Sequence, residues 1–147
     1  MQALWQADVR GDLAGRVARL HPATPARWGR FTPARMLAHV NDSLRMALGE
    51  LAVAPKAGPL RYPPLRTLIV YVLPFPRNVP TAPELLARGE AASWDAERAA
   101  FPALLERFAA GDPASWPPHP IFGRLSRHAW GVLAYRHIDH HLRQFGV

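Results

Sequence analysis

The 147 residues carry 18 Lys or Arg against 11 Asp or Glu, a formal net charge of +7, with 49% hydrophobic residues and no cysteine. A chain of this length reads as one domain, residues 1–147, able to bury a core without disulfide staples. The lack of cysteine excludes a disulfide framework, thiolate metal sites, cysteine nucleophiles and thiol redox motifs.

The basic excess does not read as a nucleic-acid surface. Seventeen of the eighteen basic residues are Arg, spread from Arg10 to Arg143, and no run of five like charges occurs. The opening MQALWQADVRGDL contains acids and no long apolar core, unlike a secretory leader. The most apolar stretch, LRTLIVYVLPF (65–75), is broken by Arg66 and Pro74. It falls far short of the ~20 residues of a membrane span. The expectation is a cytoplasmic protein without a membrane or nucleic-acid partner.

Proline and glycine divide the chain into helix-length blocks. The first runs from Ala3 to Leu20, weakened by Gly11 and Gly15 and ended by HPATP. The second runs from Pro33 to Leu51, with Thr32 as N-cap and Pro33 at the first helical position. The third, Pro64 to Leu73, contains LIVYV, which taken alone reads as a strand. No other segment offers that strand a partner, so it is assigned as helix. The fourth block runs from Ser93 to Ala110 and stops at Gly111. Ser93 caps it, and Asp95 and Glu97 lie in its first turn. The fifth runs from Ser126 to Gln144, with Gly146 beyond. The stretches 55–64, 74–83 and 113–120 are proline-rich loops.

Residues on a helix advance about 100° each, so positions i, i+4 and i+7 share a face. In the fifth block Trp130, Leu133, Ala134, His137, Ile138, His141, Gln144 and Phe145 form one stripe. Its first half is apolar and its second half carries two histidines one turn apart. Imidazoles on a core-facing stripe need partners, and the i, i+4 spacing lets two rings aim at one point, as in helical metal sites. His39, in MLAHVNDSLRMAL, lies at the edge of the second helix's apolar stripe. Packing can bring it to His137 and His141. Three neutral imidazoles suit Zn, Ni, Fe or Cu with open positions for water or substrate. The same three residues also fit a hydrogen-bonded core cluster.

The segments RWGRFTPARMLAHVNDSLRMALGE (27–50), TAPELL (81–86) and HPIFGRLSRHAWGVLAYRHIDHHLRQFG (119–146) resemble the DinB/YfiT-like superfamily, in a branch of unknown function. The most specific element is HxxHHxRQFG, here His137, His140, His141, Arg143, Gln144, Phe145 and Gly146. The resemblance implies an all-α fold, a DinB-like four-helix bundle with one short extra helix, commonly a homodimer. It implies a three-histidine metal site whose ligands fall on His39, His137 and His141. Zn or Ni is the expected metal. Some members resemble metal-dependent hydrolases or thiol S-transferases, which implies a small-molecule substrate, with a low-molecular-weight thiol for the second reaction. A dimeric binding module with a structural metal is the alternative.

The remaining polar residues are weighed against plain structural roles. Asp42, three residues after His39, is a candidate to orient a ligand or act as a base, against a solvated helix-face carboxylate. His140 is read as a neighbour of the ligands or a surface residue, and His119 as a loop residue at the pocket mouth or in solvent. His21 and His128 suit helix ends. Asp139 is expected to be exposed. Gln144 can bond a ligand or a neighbouring helix. Trp28 and Trp130 are expected as core anchors.

Overall fold

The computed structural model describes residues 1–77, 80–88 and 92–147, which form helices and loops without a β-strand. Five α-helices follow in chain order: α1 (Ala7–Ala18), α2 (Pro33–Ala47), α3 (Leu65–Thr67), α4 (Trp94–Ala110) and α5 (Arg127–Gln144). Two single 3-10 turns, Pro59–Arg61 and Pro83–Leu85, punctuate the proline-rich crossovers. Part of the 74–83 loop, residues 78 and 79, lies outside the described residues.

The caps follow the sequence. The Thr32, Ser93 and Ser126 hydroxyls accept from the backbone N–H of Arg35, Ala96 and Ala129, three residues on in each case. Pro33 opens α2, where its missing N–H costs nothing. Two boundaries are shorter than expected. The first block is helical only from Ala7. The Gln6 side chain accepts from Ala3 N at 2.9 Å, and Leu4 N donates to the Gly131 carbonyl at 3.1 Å. The entering strand of chain is thereby tied to α5, and Leu4 is driven into the core rather than wound into α1. The second block stops at Ala47 because Gly49 takes φ +80° and closes the helix end.

The LIVYV segment is helical, as assigned. α3 runs straight into one π-type turn, Leu68–Val72. Its inner residue Val70 packs on Phe122, Ala129 and Leu133 in a small apolar cluster. Arg136 of α5 donates to the carbonyls of Ile69 at 2.8 Å and Val70 at 2.6 Å, and to that of Leu73. A cation on the free carbonyls at a helix end satisfies groups that would otherwise be unpaired.

The four longer helices share the main core. Leu13 of α1, Met36 and Leu37 of α2, Phe101 and Phe108 of α4, and Leu142 of α5 are all completely buried within it. Each such side chain contributes about 1.5–3 kcal/mol from burial. Trp116 joins this core from the loop before α5 and lies between Phe108 and Trp130. Trp130 is the buried anchor expected of it. Asp139 is a correction: it is mostly buried, accepting from Arg16 at 2.9 Å and Arg143 at 3.0 Å. The Arg16 pair links α5 to α1, and the Arg143 pair lies within α5. Among the described residues no helix is long and apolar enough to cross a membrane.

Candidate metal centre

α2 and α5 pack against each other, and this contact brings His39 of α2 to His137 and His141 of α5. The three rings form a triangle with centroids 4.8 to 4.9 Å apart. One ring nitrogen from each lies within 4.8 Å of the other two. His39 Nε2 faces His137 Nε2 at 3.0 Å. Tetrahedral zinc with Zn–N bonds of ~2.0–2.1 Å places ligand nitrogens about 3.3 Å apart. Small side-chain rotations therefore fit the triad to one ion.

Burial fixes the protonation state that a metal needs. Desolvation pushes His39 down to about 4 and His141 down to about 3, and it holds His137 well below the ordinary histidine value. The rings also disfavour one another's charge, since His39 and His141 each act on His137. All three imidazoles are thus neutral at pH 7, with lone pairs free for coordination. His39 is 5% exposed, and its Nδ1 is buried without a hydrogen bond of ordinary geometry. The backbone of Leu85 lies close enough to favour its charged form slightly. His137 and His141 are only partly buried, so the cluster reaches the surface on the α5 side.

Gln144 bonds a candidate ligand, as one of its two expected roles has it, and its other partner is a loop carbonyl instead of a neighbouring helix. Its Oε1 lies 3.1 Å from His141 Nδ1 and its Nε2 donates to the Trp28 carbonyl at 2.7 Å. That arrangement places the proton of His141 on Nδ1 and turns Nε2 toward the other two histidines, the way outer hydrogen bonds orient metal ligands. The rim is aromatic. Phe31 touches the rings of His39 and His141, with centroids 5.5 and 5.7 Å away. Trp28 stands 5.7 Å from the ring of His140, which lies against His141, and Phe75 is 6.1 Å from His140. Arg77 lies over Trp28 at 4.3 Å. Trp28 is therefore a partly buried rim residue and not the core anchor expected, because its loop is tied to the end of α5, Arg27 N donating to the Gln144 carbonyl at 2.7 Å.

Asp42 sits apart from a solvated helix face: it is 2% exposed. Arg88 grips it from Nε and Nη2, at 3.1 and 2.7 Å, and Arg45 reaches it at 2.9 Å. The same Arg88 binds Glu97 of α4 at 2.8 Å, and Asn41 donates to Glu97 at 2.8 Å. Glu97 is held below the usual carboxylate range: burial opposes this, and the bonds from Arg88 and Asn41 outweigh it. Two buried carboxylates on α2 and α4 thus share one guanidinium from the chain segment that carries Leu85. The charge of Asp42 raises the His39 pKa, against the larger lowering by burial.

His119 is a partly buried turn residue instead of a solvated one, and its charge would act on His137. It closes a tight turn with Gly123, accepts at Nδ1 from Ile121 and Phe122 N–H groups, and packs on Trp130. Burial pushes it down to about 3. His21 accepts from Ala23 N in an exposed loop, and the exposed His128 stacks on Tyr71. Sequence reasoning missed Arg88, Phe31, Phe75 and Arg77. They come from loops without periodicity, and no spacing rule announces them.

One family profile matches residues 11–146, and its description reads "Protein of unknown function (DUF1569)". The chain belongs to the DUF1569 family. No curated protein and no solved structure matches it.

Proposed function

We propose that this DUF1569 member is a metal-dependent enzyme that holds one divalent ion, Zn or Ni, on His39, His137 and His141. The fold is read as a DinB-like four-helix bundle. The observation that carries the proposal is the convergence of three neutral ring nitrogens, two of them on a partly exposed face. Catalytic sites of this kind keep a position open, whereas structural sites are closed by four protein ligands. A bound ion would supply Lewis-acid activation of water or of a small-molecule thiol. The chain's own part is positional. Gln144 sets the His141 ring, α2 and α5 set the spacing, and Phe31, Trp28 and Phe75 wall the approach and limit water. Asp42 is assigned a positioning role through Arg88 and not that of a base, because both its oxygens are already engaged by guanidinium groups.

The test is metal content by mass spectrometry on untagged protein beside His141→Ala. The expected result is one equivalent per chain, lost in the variant. No metal after incubation with Zn and Ni ends the metal reading. A cobalt-loaded sample then separates catalysis from structure. A visible spectrum that shifts on adding 2-mercaptoethanol reports an open position. An unchanged spectrum assigns the ion to a structural site in a binding module.

A further inference from the structure

The +7 charge has an address. Residues 51–83 contain Lys56, Arg61, Arg66 and Arg77 and no acid, and residues 113–138 contain Arg124, Arg127 and Arg136 and no acid. The other 88 residues hold eleven basic and eleven acidic side chains, so the whole excess lies in these two stretches. The Arg residues are evenly spaced along the chain, but the acids are not.

The fold lays the two stretches on each other. Val70 packs with Phe122, Ala129 and Leu133, and Arg136 holds the carbonyls of Ile69 and Val70. Arg61 donates to the Pro120 carbonyl at 3.2 Å and Arg66 to that of Arg124 at 3.4 Å. These guanidinium groups bond backbone carbonyls, and among the described residues none of the three pairs with a carboxylate. Glu84 meets Lys56 only at the border.

The same region exposes its apolar side chains. Tyr62 is 67% exposed, Leu65 43%, Leu68 39%, Val72 65% and Leu73 44%; of the described residues elsewhere, Met1 alone is a large hydrophobic residue so exposed. Leu65, Leu68 and Val72 recur at intervals of three and four, on one face of α3 and its π-type turn. Val70 takes the inward face.

We propose that this face docks peripherally on an anionic lipid bilayer. Aliphatic chains protruding from a short helix enter the boundary between headgroups and acyl chains, and the surrounding cations meet the lipid phosphates. Nucleic acid would meet the charge but leave the leucines and valine in water. A second copy would set two acid-free faces against each other. The expectation of no membrane partner rested on the lack of a span, which a peripheral face does not need.

The experiment is co-sedimentation of the full chain, at low and at physiological salt, with two kinds of vesicle. One is phosphatidylcholine containing one third phosphatidylglycerol, and the other is phosphatidylcholine alone. The chain should pellet with the anionic vesicles only. The double variant Leu65→Ser, Val72→Ser keeps the charge and removes two exposed side chains, so it should bind about tenfold or more weakly with an unchanged circular dichroism spectrum. Failure of the wild type to pellet at low salt overturns the proposal. So does equal binding by the double variant, which is diffuse charge attraction alone. A wild-type dimer that the double variant converts to monomer also overturns it, since a second copy then covers the face.

Discussion

Gln144 and His141 are joined at 3.1 Å, and the other end of the same amide holds the carbonyl of Trp28 at 2.7 Å. One buried side chain therefore couples the orientation of a candidate ligand to the loop that forms the rim. Gln144→Ala should weaken metal affinity about 10–100-fold, the usual cost of losing an outer partner of a ligating histidine. Competition with a chromophoric chelator measures it. Equal affinity in the variant would mean that packing alone aims the His141 ring.

Arg88 sits between Asp42 and Glu97, whose side chains are 3% and 6% exposed. Arg88 itself is 47% exposed, so solvent screens the pairs, and the cost of removing it is that of leaving buried acceptors short of a partner, about 1–3 kcal/mol. Arg45 still reaches Asp42, so Arg88→Met should fall within that range in urea unfolding. Arg88→Lys should recover little, because an ammonium cannot serve two carboxylates with a planar fork. If lysine restores full stability, the pairing is a matter of charge alone.

Burial sets a pH dependence. His39 titrates near 4 and His119 and His141 near 3 in the folded chain, and His137 well below its ordinary value. Unfolded histidines titrate at about 6.5. Below that value the unfolded chain takes up protons that the folded chain refuses. Stability is therefore full above about pH 6.5 and is lost progressively as the pH falls toward the folded values. Metal-free protein should melt at a clearly lower temperature at pH 5 than at pH 7. A flat profile in scanning calorimetry would show that the histidines are hydrated and titrate freely.

Gly131 lies against Trp5. A Cβ there would stand 2.2 Å from Trp5 Nε1, an atom that donates to the Arg127 carbonyl at 2.8 Å. Alanine gains about 1 kcal/mol in helix propensity, but overpacking typically costs about 1–3 kcal/mol. Gly131→Ala should lower the urea midpoint and should quench or shift Trp5 fluorescence. A raised midpoint would mean that the N-terminal segment swings away at no cost.

The sequence by itself determined the helices and named the triad. Hydroxyl caps at Thr32, Ser93 and Ser126, the stop at Gly111, and a 3.6-residue apolar period are local signals, readable without a partner segment. The His137–His141 spacing is local too, because one helix turn places both rings on one side. His39 was legible only as an edge residue of its own stripe. Its distance from the pair belongs to the α2–α5 packing. Tertiary structure alone decided the rest. It buried Asp42 instead of solvating it, because Arg88, forty-six positions away, arrives to neutralise it. It moved Trp28 from core to rim, and it gathered two acid-free stretches onto one face. Charge pairing and loop placement depend on distances through space, and one-dimensional periodicity carries no record of those.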